Sequence, residues 1–328
     1  MISMNLTRLI SVVTAWSALA IFTHTLSAQE PRRIRYGTTA SVAHLPVLVG
    51  REGGLFARYG LDVEAIHIRG GPLITMAIMS GSLQFSGAGA ESVVAARIEG
   101  GDVVLLACPL DTDAVYLITR PEITGPQELR GKASAVTRIG STTHFYLRTA
   151  LRHAGLDPEK DMTILQLGSG GEIGAALESG RIAAAALTFR NALPFLQRGW
   201  PVLVDLSKTD FAYPPSCVTS SRAFVRDQPG LVERFLRAYV EAIGLIKKDH
   251  ALAGRAFAKW YRETDSTLVN KTVEVYARLF KPVPYVPDKG IDRVLQDLSL
   301  RRPVPREFFG RPEQFRDHSP LEKVLKGK

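Results

Sequence analysis

Between Ile34 and Leu117, short apolar runs alternate with segments of helical period, and Gly or Pro punctuates the junctions. Residues 34–37 read as a strand, and Pro46 suits the first turn of a helix in LPVLVGREG. Strands over 61–68, 85–87 and 103–108 bracket helices opened by Pro72 and running over 92–99. Such a β-α-β-α series predicts a mainly parallel sheet covered by helices. A second series begins at 115–119 and is joined by PEITGPQELRGK to strands 133–136, 163–167 and 183–187. Helices 142–154 and 172–179 lie between them, stopped by Gly155 and Gly180. Beyond Tyr213-Pro214-Pro215 come a return strand over 217–219 and amphipathic helices over 231–248, 251–261 and 267–280. A rigid loop, KPVPYVPDKG, precedes a last helix over 291–300, and the Arg- and Pro-rich segment after Arg301 is expected to be poorly ordered. No tandem repeat of fixed period is visible.

The second series has the length of one small α/β unit and reads as an insertion into the first. The expected organisation is a discontinuous first lobe, 31–117 and 214–300, an inserted second lobe, 118–213, and a C-terminal tail, 301–328. Residues 1–28 carry one basic residue, Arg8, no acid, and an apolar stretch from Leu9 to Phe22 followed by small residues. They read as a secretory signal cleaved near Ala28, with no Cys nearby for lipid attachment. The remaining 300 residues exceed what one compact core usually carries and are expected to be soluble and periplasmic or otherwise extracytoplasmic.

Cys108 and Cys217 are the only cysteines. A bridge between them is open in an oxidising compartment, while their wide spacing favours two buried free thiols. The net charge of +9 is spread along the chain as dispersed Arg and Lys rather than concentrated in a stripe with interleaved aromatics, which argues against a nucleic-acid partner. A basic surface of this kind attracts anionic solutes weakly.

In open α/β sheets, ligands bind beyond the carboxyl ends of strands, where loops run into helix N-termini. Six such loops, 38–45, 69–73, 87–92, 138–143, 168–172 and 188–191, all contain Gly, Ser, Thr or Asn. RIGSTTHF is the most specific: Gly140 permits close approach, and Ser141, Thr142 and Thr143 offer hydroxyls beside unpaired helix N–H groups. The same residues serve as an ordinary N-cap when no ligand is involved. GAGAES presents the Gly89 and Ala90 amides, with Glu91 or Ser92 as a polar contact, or with Glu91 as a partner of the helix dipole. In the first loop, Thr39 and Ser41 are candidate contacts and His44 a candidate donor; Gly71 lies at the start of the helix opened by Pro72. Asp113 lies at the first crossing between lobes and Phe189, Asn191 and Tyr213 near the second, where an aromatic can cover a ligand or pack a hinge. No nucleophile elbow, zinc-protease pair, Walker phosphate loop or close Cys/His cluster occurs, so no catalytic or metal-binding residue and no cofactor is assigned.

The chain resembles the periplasmic substrate-binding proteins of ABC importers, in the nitrate/sulfonate/taurine and NMT1/THI5-like group. The similar stretches are PVLVGREGGLFARYGLDVE, ITMAIMSGSLQFSGAG, LRGKASAV with GSTTHFYLRTALRHAGL, ALESGRIAAAAL, and CVTSSRAFVRDQPGLVERFLRAYVEAI. Two departures stand out: Gln84 and Ala184 occupy positions where members often carry an acid. The resemblance implies a type II periplasmic-binding-protein clamshell, two α/β lobes with mixed sheets joined by two hinge strands. Closing on a ligand requires contacts from both lobes. Ser41, His44, Gly71, Gly89 and Glu91 would come from the first lobe, and Gly140 to Thr143 with Asn191 from the second. The implied ligand is a small organic or inorganic anion or a heteroaromatic vitamin precursor, and the implied partner an ABC permease of the inner membrane, met by a monomer. Two other classes use this scaffold. An enzyme of pyrimidine-type biosynthesis would need a cluster such as His44, Glu91 and His144, and a sensory domain would contact a membrane receptor instead.

Overall fold

The computed structural model describes residues 31–327, so the expected signal segment lies outside the described residues. Ten strands form along the chain: β1 (Arg32–Thr38), β2 (Leu61–His67), β3 (Phe85–Ala88), β4 (Val104–Ala107), β5 (Val115–Thr119), β6 (Lys132–Val136), β7 (Met162–Gln166), β8 (Ala184–Thr188), β9 (Val202–Asp205) and β10 (Cys217–Ser220). They make two five-stranded sheets, ordered β2-β1-β3-β10-β4 and β7-β6-β8-β5-β9. In the first, β1 pairs in parallel with β2 and β3, whereas β10 is antiparallel to β3 and β4. In the second, β6 is parallel to β7 and β8, and β5 is antiparallel to β8 and β9. The mainly parallel sheet expected from the β-α-β pattern is therefore corrected to a mixed one. The antiparallel strand of each sheet is the one that arrives directly from the other sheet, without the crossover helix that parallel pairing requires.

Helices cover these sheets: α1 (Leu45–Glu52), α2 (Leu55–Arg58), α3 (Gly71–Met79), α4 (Ala90–Ile98), α5 (Thr142–His153), α6 (Gly170–Glu178) and α7 (Phe189–Gln197) lie in the alternating part. The C-terminal part supplies α8 (Arg222–Asp227), α9 (Pro229–Lys248), α10 (His250–Tyr261), α11 (Ser266–Leu279), α12 (Asp288–Ser299) and α13 (Ser319–Lys326). Leu231, Phe235, Tyr239, Ala242 and Ile246 recur at helical spacing along α9 and are buried. The Phe235 ring stacks on Phe85 of β3 at 4.1 Å and on Phe56 at 5.1 Å, which seats α9 against the first sheet. A second core joins Val93, Leu105 and Leu295 to Leu117, Val136 and Phe145, so apolar packing is continuous across both crossings.

Two expectations are corrected here. The segment after Arg301 is packed rather than poorly ordered: Phe315, Leu321 and Val324 are fully buried. Leu105 donates its N–H to the Phe315 carbonyl and accepts from Asp317 N–H, both at 2.9 Å, so the tail extends the edge of β4. The cysteines are bridged, Cys108 to Cys217, with Cα atoms 4.1 Å apart. Because Ala107 of β4 faces Val218 of β10, the two cysteines stand side by side on neighbouring strands, a proximity that sequence spacing does not carry.

Candidate functional site

All six strand-to-helix loops reach one cleft between the two sheets. Thr39, Ser41, Gly71 and Gly89 line it from the first sheet, and Ser141, Thr142, Thr143 and Asn191 from the second. Gly70, with φ +94°, turns the chain into α3 in a conformation that L side chains rarely adopt. Gly89 matters for space: a Cβ there would stand 2.0 Å from Thr142 Oγ1 and 2.7 Å from Tyr213 Oη. That contact joins the two sides, since Thr142 donates to the Pro215 carbonyl at 3.3 Å and accepts from Tyr213 O–H at 3.1 Å.

At the start of α5, the Ser141 hydroxyl turns away from the helix and donates to the Arg138 carbonyl at 2.7 Å. Thr143 Oγ1 accepts from Thr137 N–H at 2.9 Å. No side chain caps the first turn of α5, and the same is true of α3 and α7. Three helix N-termini with unpaired N–H groups and partial positive charge thus face one space. The alternative reading of Ser141 as an ordinary N-cap does not describe it. Ser169, by contrast, does cap α6, accepting from Glu172 N–H at 3.2 Å and donating to its carboxylate at 2.7 Å. Arg69 and His67 are the basic side chains of the lining, and no carboxylate lies among it. Burial and the neighbouring Arg69 hold the His67 imidazole below its ordinary pKa. Across the mouth, Arg69 lies 3.6 Å from Glu172 of α6.

The other singled-out residues stand behind this lining. His44 is buried, its Nε2 accepting from Thr39 N–H at 3.1 Å, so it supports the first loop instead of facing the cleft. Glu91 is 1 % exposed and accepts from Arg301 at 2.8 Å, with Arg148 3.5 Å away. Burial pushes its carboxyl up, against the pull of both guanidinium groups. Asp113 is buried and accepts hydroxyls from Tyr146 at 2.8 Å and Tyr276 at 2.7 Å. Burial raises its pKa to about 6 against those hydrogen bonds and the Ala114 N–H. Gly140 donates its N–H to His144 Nδ1 at 3.1 Å, Phe189 packs half-buried on the first core, and Tyr213 stacks on Phe145 with ring centres 4.3 Å apart. His44 is held by Thr39, whereas Glu91 and His144 both lie against Arg148, with Arg301 also bonded to Glu91. Among the described residues no group of three or more His, Cys, Asp or Glu is placed to hold a metal ion.

Sequence reasoning passed over Thr137 and Tyr146, which also line the cleft, as does Thr188 at the start of the singled-out 188–191 loop. Thr137 follows the carboxyl end of β6, where the strand-end rule would have found it. Tyr146 lies one turn into α5, and no sequence signal marks it. A mixed two-sheet frame with a carboxylate-free cleft between its halves, lined largely by Gly, Ser and Thr, defines a two-lobed ligand-binding protein.

Comparison with known proteins narrows that class. The NMT1/THI5-like family model matches residues 41–273, and the chain belongs to this family. The taurine-binding periplasmic protein of Escherichia coli K12 is 29 % identical over 214 residues, 64 % of this chain and 64 % of that protein. The alkanesulfonate-binding protein SsuA of Xanthomonas axonopodis pv. citri, solved bound to MOPS, superposes with a TM-score of 0.71 at 22 % identity, covering 87 % of this chain and 98 % of SsuA. The periplasmic nitrate-binding protein NrtA of Synechocystis PCC 6803 gives a TM-score of 0.77 at 13 % identity, covering 91 % of this chain and 89 % of NrtA. The architecture is thus the two-lobed α/β fold of periplasmic binding proteins.

Proposed function

We propose that this chain is the extracytoplasmic solute-binding component of an ABC importer, taking up a small anion between its lobes and offering the closed form to an inner-membrane permease. The observation that carries the reading is the cleft lining: uncapped N-termini of α3, α5 and α7 with Arg69, and no carboxylate. An anion there gains from every one of these groups, while the lining itself offers a cation no opposite charge and Glu172, at the mouth, already faces Arg69 at 3.6 Å. Family membership and the relatives above support the role, and the sulfonate, taurine and nitrate named for them set the ligands to try first. We further propose lobes at 31–117 with 214–300 and at 118–213, a monomer, and binding without covalent change to the ligand.

The test is thermal denaturation of the purified protein with sulfonates, nitrate, carboxylates and pyrimidines. Binding to the folded state alone raises stability by about 2.7 kcal/mol at a hundredfold excess over Kd. A rise in Tm of several degrees with one anion class is expected, and it should be lost in Arg69→Ala. An unchanged Tm across the whole panel would overturn the reading.

A further inference from the structure

His44 has a fixed hydrogen-bond polarity, and that polarity passes to a residue that lines the cleft. A backbone N–H can only donate, so Thr39 N–H at 3.1 Å makes His44 Nε2 an acceptor. The Thr39 hydroxyl also lies 2.9 Å from the same nitrogen. Two lone pairs facing at that distance would repel, so the Thr39 O–H proton points at Nε2. From the other side, Ser216 donates its hydroxyl to the Gly87 carbonyl at 3.2 Å, and its oxygen faces His44 Nδ1 at 3.3 Å. Nδ1 therefore carries the ring proton and donates to Ser216. Both ends of the chain of bonds require the same tautomer. The ring is buried and packs closely on Gly87, where a Cβ would lie 2.2 Å from Nδ1. Burial also keeps the imidazole neutral, with a pKa lowered to about 3.

We infer that His44 is a positioning residue that holds the Thr39 hydroxyl as a hydrogen-bond acceptor at the cleft, so that the ligand meets the first loop with an N–H or O–H donor. Ser41 N–H takes one lone pair of Thr39 Oγ1 at 3.3 Å, and the other is left for the ligand. The helix N-termini supply donors to the acidic end of the ligand, so the site reads a molecule with an anionic group at one end and a donor at the other. This rests on the anion-binding reading above.

Two measurements separate the inference from that reading. Long-range ¹H–¹⁵N NMR of the protein without ligand reports the tautomer of His44: a neutral ring protonated at Nδ1 is expected, and protonation at Nε2 overturns the inference whatever the protein binds. Calorimetry then compares 2-hydroxyethanesulfonate with propane-1-sulfonate, which puts a methyl group in place of the hydroxyl. Preference for the hydroxy compound by tenfold or more is expected, retained in Thr39→Ser and lost in Thr39→Val. Equal affinities, or a preference that survives Thr39→Val, overturn it. Failure of both probes, with the Nδ1 tautomer present, counts against sulfonates as the anion class and leaves the polarity of Thr39 standing.

Discussion

Three buried titratable side chains act in opposite directions in the acid response of this protein. His44 and His144 both have pKa values lowered to about 3, chiefly by burial, with Arg148 the next cause at His144. Unfolded histidines take up protons near pH 6.5, so as pH falls from there toward 3 the unfolded chain binds protons that the folded one refuses, and stability is lost. Asp113 has the reverse sign. Its folded pKa of about 6 lies above the unfolded value of 3.8, so the folded state holds a proton between those limits and stability is gained as pH falls through them. Two protons against one leave these groups with a net loss on acidification of about 1.4 kcal/mol per pH unit in that window. Urea midpoints at pH 7, 6, 5 and 4 should show Asp113→Asn losing stability more steeply than the parent below pH 6. A difference between the two that stays constant with pH would refute the assignment.

At the scale of elements, the join between α5, α4 and α12 is ionic and buried. Arg148 of α5 is fully buried and paired with Asp297 of α12, with Glu91 of α4 3.5 Å away; Arg152 reaches the same Asp297 at 2.6 Å. Arg301, two residues past the end of α12, donates to Glu91. Taking out one member of such a group strands an uncompensated charge, which costs about 3–5 kcal/mol. Arg148→Met should therefore unfold at much lower denaturant, whereas Arg152→Met, whose side chain is 31 % exposed, should cost about 1 kcal/mol or less. Similar midpoints for the two variants would show that Arg148 is not the keystone. None of this network was legible in the chain. Arg148 reads as one more charge on an amphipathic helix, Glu91 as a ligand contact or a helix-dipole charge, and Arg301 as the start of a loose tail. The apolar periods that position α5 and α12 were plain, because a helix shows its buried face in i, i+3 and i+4 spacing. Which polar side chains meet behind that face depends on how two helices far apart in sequence cross. The same division holds for the cleft: loops at strand ends were readable by rule, while the turning of His44 toward Thr39 needed the packing of Gly87 and Ser216.

For the molecule as a whole, the decisive long-range contact is Cys108–Cys217, separated by 109 residues. Cys108 follows β4, where the chain leaves the first sheet, and Cys217 opens β10, where it returns, so all of the second sheet lies within the loop they close. Sequence pattern suggested an inserted second unit; the bridge itself rests on strand adjacency that pattern alone does not supply. In the chain-entropy account, a cross-link closing about 100 residues removes about 4.7 kcal/mol of freedom from the unfolded chain. Because it joins neighbouring strands of one sheet and both ends of the crossing segments, it restricts unfolding without tying one lobe to the other. Reduction should lower the Tm markedly and raise the denaturant m-value, as the unfolded chain expands. The double variant Cys108→Ala/Cys217→Ala should reproduce that loss and become insensitive to reductant, while ligand affinity at a temperature where it is folded stays within about twofold of the parent, a shift of about 0.4 kcal/mol. A variant that kept its Tm but bound ligand tenfold more weakly would mean that the bridge sets the geometry of the hinge rather than the stability of the fold.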